Sequence, residues 1–229
     1  MSYFALIPAA GGGLRMGSHR PKQYLSLAGK PLIRHAIDAL SAVAEIARIF
    51  VVLAPDDDLW STFDWHAATP RIEVLGCGGA TRAASVTNGL RALGDRLRPD
   101  DWILVHDAAR ACLTPAQVRQ LIHEVGDDPV GGLLAIPVAD TLKRAHPGDR
   151  RVAATVSRAD LWQAQTPQMF RYALLLEALE SAPAVTDEAG AIEAQGLHPR
   201  LVAADATNFK ITYPLDLQLA EWVLAHRET

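Results

Sequence analysis

The 229-residue chain is 49% hydrophobic and 21% charged, the balance of one globular α/β domain with a core of its own rather than a disordered or fibrous segment. A net charge of -4 gives no global attraction to nucleic acid or to an anionic membrane surface, so any phosphate must be met by local cations. Cys77 and Cys112 lie far apart without companion ligands, which argues against a disulfide framework or a zinc site and for two buried thiols in a reducing cytoplasm. No stretch approaches the roughly 18 uninterrupted apolar residues of a membrane span. Met1–Pro8 is apolar but too short, and too poor in basic residues, for a secretion signal. The expectation is a cytoplasmic protein with no membrane or nucleic-acid partner.

Short apolar runs alternate with amphipathic ones along the chain. Phe4–Pro8 reads as a first buried strand and Pro31–Ala42 as a helix, with Leu32, His35, Ala36, Ala39 and Leu40 at helical spacing. Ile49–Ala54 is a second strand, after which Pro55 and Asp56–Asp58 suit the start of a helix. Arg71–Leu75 predicts a third strand and Thr81–Leu93 a helix. Trp102–His106 predicts a fourth strand, Thr114–Val125 a helix and Gly131–Pro137 a fifth strand. Repeated strand–helix order specifies a mostly parallel, Rossmann-like sheet with helices on both faces. The pattern breaks at 138–158, a polar segment with β-like flanks Thr141–Arg144 and Val152–Val156 around Pro147-Gly148-Asp149. This reads as a β-hairpin arm projecting from a single domain. Isolated hairpins are marginal in water, so the arm is expected to pack on something, a second subunit being the obvious candidate. Tyr172–Ser181 and Thr186–Gln195 follow as helices, Arg200–Ala204 and Phe209–Thr212 as short strands, and Pro214–His226 as a closing helix.

The first strand runs into Ala9-Ala10-Gly11-Gly12-Gly13-Leu14-Arg15-Met16-Gly17. Small residues directly after a strand let the backbone approach a ligand and turn its N–H groups inward, making an anion-binding concavity. In an open α/β sheet such a loop sits at the carboxyl ends of the strands, where ligands bind. The dinucleotide fingerprint fits Gly11 and Gly13 but then meets Met16. The P-loop spacing reaches Gly17 but continues with Ser18-His19. The loop has instead two cations, Arg15 and Lys22, which suit a triphosphate better than a pyrophosphate held by a helix end alone. The plain alternative is a glycine-rich connection with solvated cations.

Further blocks extend this reading. They are Pro21-Lys22-Gln23-Tyr24; Gly78-Gly79-Ala80-Thr81-Arg82 with Ser85-Val86; Val105-His106-Asp107-Ala108-Ala109-Arg110; and Pro137-Val138-Ala139-Asp140-Thr141-Leu142-Lys143. They continue with Arg158, Leu161-Trp162, Gln165-Thr166-Pro167-Gln168-Met169-Phe170, Thr186-Asp187-Glu188-Ala189 and Asn208-Phe209-Lys210-Ile211-Thr212. In order and spacing, from about residue 6 to 220, the series resembles the 2-C-methyl-D-erythritol 4-phosphate cytidylyltransferases of the non-mevalonate isoprenoid pathway.

The resemblance implies transfer of a cytidylyl group from CTP to 2-C-methyl-D-erythritol 4-phosphate, with release of pyrophosphate. It also implies Mg²⁺ held mainly by the CTP phosphates, with no protein metal ligand named, and a homodimer whose arms clasp. The substrate phosphate is already anionic, so no general base is needed and catalysis reduces to positioning and charge neutralisation. Arg15 and Lys22 are then expected at the α-phosphate and leaving pyrophosphate. Lys210, and Arg158 from the partner's arm, are expected at the acceptor phosphate. Thr141 is assigned to the polyol, and Ala108, Arg110 and Thr186 to further substrate contacts. Ala9, Ala10, Gly11, Gly13, Gly79, Arg82 and Ser85 would line the nucleotide side, and Asp107 would orient a ribose or substrate hydroxyl. Two positions depart from the pattern: Ala80 stands where an acidic residue is often found, and Ala111 where proline is usual.

Plainer readings stand beside these. His106 reads as a satisfied buried histidine, Arg110 as an anchor of the sheet edge and Thr186-Asp187 as a helix cap. The five tryptophans read as packing, and Lys143, Arg144, Arg150 and Arg151 as solvated or interfacial charges. The competing functions are a cytidylyltransferase for another polyol phosphate such as ribitol 5-phosphate, a non-catalytic nucleotide-binding regulator and, disfavoured by Met16, a Rossmann dehydrogenase.

Overall fold

Continuous apolar runs can be buried on both faces only inside a sheet covered by helices, and the chain folds accordingly. The computed structural model describes residues 1–12, 20–65, 70–182 and 184–227. In chain order its elements are β1 (Tyr3–Pro8), β2 (Ser26–Leu27), β3 (Lys30–Pro31), α1 (Leu32–Ser41), β4 (Ile46–Val52), β5 (Ile72–Leu75), α2 (Arg82–Leu93) and β6 (Trp102–Val105). There follow α3 (Pro115–Val125), β7 (Gly131–Pro137), β8 (Leu142–Ala145), β9 (Val152–Val156), β10 (Trp162–Arg171), α4 (Tyr172–Ser181), α5 (Glu188–Ala194), β11 (Arg200–Ala203) and α6 (Pro214–Ala225).

Seven strands form one sheet in the order β11-β7-β10-β6-β1-β4-β5. β1 runs parallel to β4 and β6, β4 to β5, and β11 to β7. β10 is antiparallel to both its neighbours. The mostly parallel sheet expected from the alternating pattern is therefore present, with one reversed strand. Alternation along β1 sends Ile7 to one face, where α1 and α3 contribute Ile33, Ile37, Leu40, Leu121 and Val125. Leu6 goes to the other, with Val86 and Leu90 of α2 and Leu175 of α4. Helix starts follow the sequence signals. Thr114 and Gln117 form a reciprocal capping box ahead of Pro115, and Thr81 caps α2 by accepting from Ala84 N–H at 3.0 Å.

Three expectations change. The strand β10 is not visible in the sequence pattern, because its middle is Gln165-Thr166-Pro167-Gln168 rather than an apolar alternation. Its polar side chains are buried because tertiary partners satisfy them: Gln165 donates to the Asp205 carbonyl at 3.0 Å and Gln168 to Asp187 at 2.9 Å. Asp56–Asp58 opens no α-helix among the described residues; Asp57 instead caps a 3-10 turn, Trp60–Thr62, accepting from the N–H groups of Leu59 and Trp60. The segment 209–212 is irregular rather than a strand, fastened by Ile211 N–H donating to the Ala109 carbonyl at 2.8 Å.

The arm is found where it was expected. β8 and β9 pair antiparallel, Leu142 opposite Val156, with Lys143 Nζ on Thr155 Oγ1 at 2.7 Å. They form a separate two-stranded sheet, and the ribbon is largely exposed, Val152 to 61%.

The joint between β6 and β10 passes through His106, which has no exposure. Thr166 Oγ1 accepts from Asp107 N–H at 3.0 Å, leaving its hydroxyl hydrogen for His106 Nδ1 at 3.0 Å. The Arg110 carbonyl, an acceptor only, lies 3.2 Å from Nε2, so Nε2 carries the ring's proton. This is the satisfied neutral histidine read from the sequence. Burial pushes its pKa down to about 4. A depressed histidine pKa stabilises the fold above the unfolded value near 6.5, and that contribution is lost as the pH falls from about 6.5 towards 4, where only the unfolded chain gains the proton. Between pH 7 and pH 5 the loss amounts to about 2 kcal/mol. Urea unfolding at the two pH values checks it: H106Q should show a pH 7 to pH 5 difference smaller than the unsubstituted chain's by about that amount.

Candidate functional site

After β1 the chain crosses to β4 and β5 on one side, then returns to β6 on the other, so the segments that leave β1 and β6 part at the carboxyl ends of these paired strands and leave a crevice. A cavity of about 360 Å³ lies there. Its wall comes from Pro8, Ala9, Ala10, Gly11 and Gly12 after β1; Lys22 and Gln23; Gly79, Ala80, Thr81, Arg82 and Ser85 at the start of α2; Asp107, Ala108 and Ala109 after β6; and Lys210. Ten residues singled out in the sequence thus meet in one place: Ala9, Ala10, Gly11, Lys22, Gly79, Arg82, Ser85, Asp107, Ala108 and Lys210. Gly13 and Arg15 lie outside the described residues.

Lys22 opens a short 3-10 turn, Lys22–Tyr24, that is pinned beneath it. The buried Gln23 donates to the Ala9 carbonyl at 2.6 Å and Tyr24 to Asp57 at 2.7 Å. Lys22 Nζ reaches the Ile211 carbonyl at 3.3 Å, so Lys22 approaches the segment that carries Lys210. Gln23 is a site residue that the sequence reading quoted only as part of a block.

The loop before α2 is tightly determined. Gly78 N–H donates to the Leu53 carbonyl at 2.8 Å, and Asn88 to the Cys77 carbonyl at 3.0 Å. Ser85 Oγ accepts from Gly79 N–H at 3.0 Å and donates to the Thr81 carbonyl at 2.9 Å. The Ser85 hydroxyl therefore shapes the loop rather than facing a ligand alone. The exposed Ala80 sits in the wall beside it.

Charge is concentrated opposite. Asp107 Oδ1 accepts from Arg82 Nε at 2.6 Å and Oδ2 from Lys210 Nζ at 2.8 Å, with Arg110 Nε at 3.8 Å. These cations outweigh the penalty of burial and hold the Asp107 carboxyl far below the usual carboxylate range. Arg82 also grips Glu188 with both terminal nitrogens, at 2.6 and 2.9 Å. The two carboxylates raise the Arg82 pKa against its own burial. Burial raises that of the fully buried Glu188, with the Arg82 fork opposing. Glu188 was missed as a site residue, although the Thr186-Asp187-Glu188-Ala189 block contained it.

Other expected residues lie elsewhere. Arg110 donates from its two terminal nitrogens to the carbonyls of Asn208 and Ala164, at 2.7 and 3.2 Å, which places it as an anchor behind the cavity wall. Thr186 is exposed and outside the wall, while Asp187 caps α5 through Gly190 N–H at 3.0 Å. Thr141 and Arg158 are exposed at the base of the arm and do not line this chain's cavity.

The wall fixes a prediction. A Cβ on Gly78 would run into Ala10 Cβ and lie 2.7 Å from the Leu53 carbonyl oxygen, both on the crevice side of the sheet. Gly78→Ala should cost about 1–3 kcal/mol in thermal unfolding and push the Gly78–Thr81 loop off Ala10, reshaping the cavity wall. Unchanged stability would contradict this packing.

Comparison with known proteins agrees with this arrangement over nearly the whole chain. A sequence model of the family 2-C-methyl-D-erythritol 4-phosphate cytidylyltransferase (IspD) matches residues 3–226. The chain is 62% identical over 225 residues to the 2-C-methyl-D-erythritol 4-phosphate cytidylyltransferase of Azoarcus sp. (strain BH72), covering 98% of this chain and 95% of that one. It is 58% identical over 226 residues to the protein of the same name from Dechloromonas aromatica (strain RCB), covering 99% of each. The fold is similar to a crystal structure of 4-diphosphocytidyl-2C-methyl-D-erythritol synthase, with a TM-score of 0.85 and 41% identity over 97% of this chain and 98% of that one. It is also similar to the Francisella tularensis enzyme, with a TM-score of 0.83 and 32% identity over 97% and 100%. Sequence, fold and the residues gathered at the β1–β6 crevice lead to one conclusion: the chain belongs to the 2-C-methyl-D-erythritol 4-phosphate cytidylyltransferase family.

Proposed function

We propose that this chain transfers the cytidylyl group of CTP to 2-C-methyl-D-erythritol 4-phosphate, a step of isoprenoid precursor synthesis, releasing pyrophosphate. The observation that carries the reading is the meeting of Lys22, Asp107 and Lys210 around a cavity floored by the Ala9–Gly12 backbone. One oxygen of the acceptor phosphate bonds to the α-phosphorus as the bond from that phosphorus to the β-phosphate bridging oxygen breaks. No proton has to be removed from the nucleophile, and the buried neutral His106 is not needed as a base. The obstacle is anion approaching anion, which cations at fixed places lower. Lys22, with Arg15, neutralises charge on the α-phosphate and the departing pyrophosphate; Lys210 holds the acceptor phosphate. Small residues at Ala9, Ala10 and Gly79 leave room for a pyrimidine.

Mg²⁺ fits this site as an ion carried by the triphosphate. Among the described residues no three His, Cys, Asp or Glu side chains gather into a cage, and Asp107 is the carboxylate in the cavity wall. Bound there, the ion would draw charge from the phosphate oxygens, with Asp107 reaching it through water. The two free thiols, Cys77 and Cys112, suit a reducing compartment, and we place the enzyme in the cytoplasm. Among the described residues no helix is long and apolar enough to cross a membrane. Association into a homodimer is supported by the exposed two-stranded arm and by Leu161 and Trp162 at its base, which are 38% and 37% exposed. In such a dimer the partner's arm would deliver Arg158 and Thr141 to the acceptor.

Three measurements test this. Pyrophosphate release with CTP should require methylerythritol phosphate, and preference for ribitol 5-phosphate would overturn the assignment. Lys22→Ala should lower kcat on the order of 10²–10³-fold; unchanged release would remove Lys22 from the mechanism. Arg158→Ala and Lys210→Ala proteins, each impaired, should regain activity on mixing, because one hybrid site then holds both intact residues. No recovery on subunit exchange would refute the shared site.

A further inference from the structure

The buried carboxylate of Glu188 does not itself line the cavity, yet it grips Arg82, which does. It is the first residue of α5, a position where the helix dipole favours an anion. Arg82 is the first residue of α2, where the dipole disfavours a cation. A cation kept at such a position needs compensation, and it has two carboxylates. Glu188 takes both terminal nitrogens of the guanidinium and Asp107 takes Nε. Asp107 gives its other oxygen to Lys210 at 2.8 Å. A continuous charged chain, Glu188–Arg82–Asp107–Lys210, therefore runs from α5 through α2 and the end of β6 to the cavity.

The far end of the chain is itself held. Gln168 of β10 straddles Glu188, donating to Asp187 Oδ2 at 2.9 Å and accepting from Ala189 N–H at 2.8 Å. Beside it on the same strand, Thr166 accepts from Asp107 N–H at 3.0 Å. One strand thus fixes the backbone under both carboxylates that grip Arg82.

We propose that Glu188 is a positioning residue for cytidylyl transfer, acting through Arg82 and Asp107 to set Lys210 for the acceptor phosphate. This rests on the reaction proposed above. With Glu188 in place both terminal nitrogens of Arg82 are taken by a carboxylate outside the cavity lining, and Asp107 meets Arg82 with one oxygen and Lys210 with the other. Without that charge Arg82 keeps Asp107 as its one carboxylate partner, and the pull of Arg82 on Asp107 changes at the expense of Lys210.

Glu188→Gln, nearly isosteric, is the test. It should raise the KM for methylerythritol phosphate or lower kcat between about 10- and 100-fold while leaving the KM for CTP unchanged. Glu188→Asp, which keeps the charge on a shorter stem, should recover part of the loss. Calorimetric binding of methylerythritol phosphate to the CTP-loaded enzyme should show the same weakening without turnover. Combining Glu188→Gln with Arg82→Lys should cost no more than the larger single change, because both act on one chain. A wild-type enzyme inactive with CTP and methylerythritol phosphate would defeat the reaction itself. With an active wild type, unchanged constants, an equal rise of both KM values, additive losses, or failure of both Glu188 variants to fold would each overturn the positioning role.

Discussion

The ionised carboxylate of Asp107 is the interaction on which the rest of the site depends. It stands at the end of β6, nearly buried, where an unpaired charge would be untenable. Its two oxygens are instead shared between Arg82 and Lys210, which come from distant parts of the chain. Each partner imposes a structural requirement. Arg82 requires that α2 begin within reach of β6, and the loop at Gly78–Thr81 is drawn tight enough to ensure it. Lys210 requires that the segment 209–212 return to the same crevice, and the bond from Ile211 to Ala109 brings it there. The parallel sheet supplies the place, a crevice between the segments that leave β1 and β6, while the ion pairs determine what projects into it.

That arrangement brings two lysines to the cavity, Lys210 without being confined in it. Lys210 retains substantial exposure while touching Asp107, and Lys22 lies against a backbone carbonyl. Neither contact is a buried bidentate clamp of the kind Arg82 makes with Glu188. An exposed ammonium such as that of Lys210 can transfer to phosphate oxygens at little cost, whereas the guanidinium locked between two carboxylates cannot. Under the proposed reaction the site separates cations that would meet substrate from a cation that builds the wall. The two kinds are distinguished by burial and by geometry rather than by residue type.

Much of this was legible in the sequence. The Pro8–Gly12 stretch after a strand, Lys22 a few residues on and Asp107 at a strand end follow from local pattern, because strand, turn and glycine preferences act over a few residues. Lys210 became legible only through its surrounding block, since nothing in residues 209–212 alone distinguishes an ion pair from a solvated lysine. The strand β10 and the burial of Glu188 were not legible. Both depend on partners far along the chain: Glu188 lies 106 residues from Arg82, and the glutamines of β10 are buried because Asp187, Ala189 and Asp205 receive or supply their hydrogen bonds. Polar residues whose burial is made tolerable by tertiary partners carry no periodic signal. Arg82 was assigned to the nucleotide side by the resemblance and by its place in the loop entering α2, but in the fold its donors point to carboxylates far along the chain.

The arm brings the same physics to the level of assembly. Two short strands, paired only with each other and mostly exposed, bury too little to be stable by themselves, and they are nevertheless ordered as a ribbon with defined register. In the proposed dimer the arm's cost in conformational entropy would be offset at the interface with the partner. Under the proposed reaction the same contact would serve catalysis. Among the described residues the cavity of one chain has a lysine for the acceptor phosphate, while the arginine forks of Arg82 in the wall and Arg110 behind it are both engaged by protein partners. A phosphate dianion is better held by a second, bidentate cation than by one ammonium alone. Arg158 at the base of a partner's arm is a cation of that kind, placed on an element that has reason to dock. The interface that would stabilise the arm would then also complete the charge balance at the acceptor phosphate, so that folding of the arm, association and turnover depend on one surface.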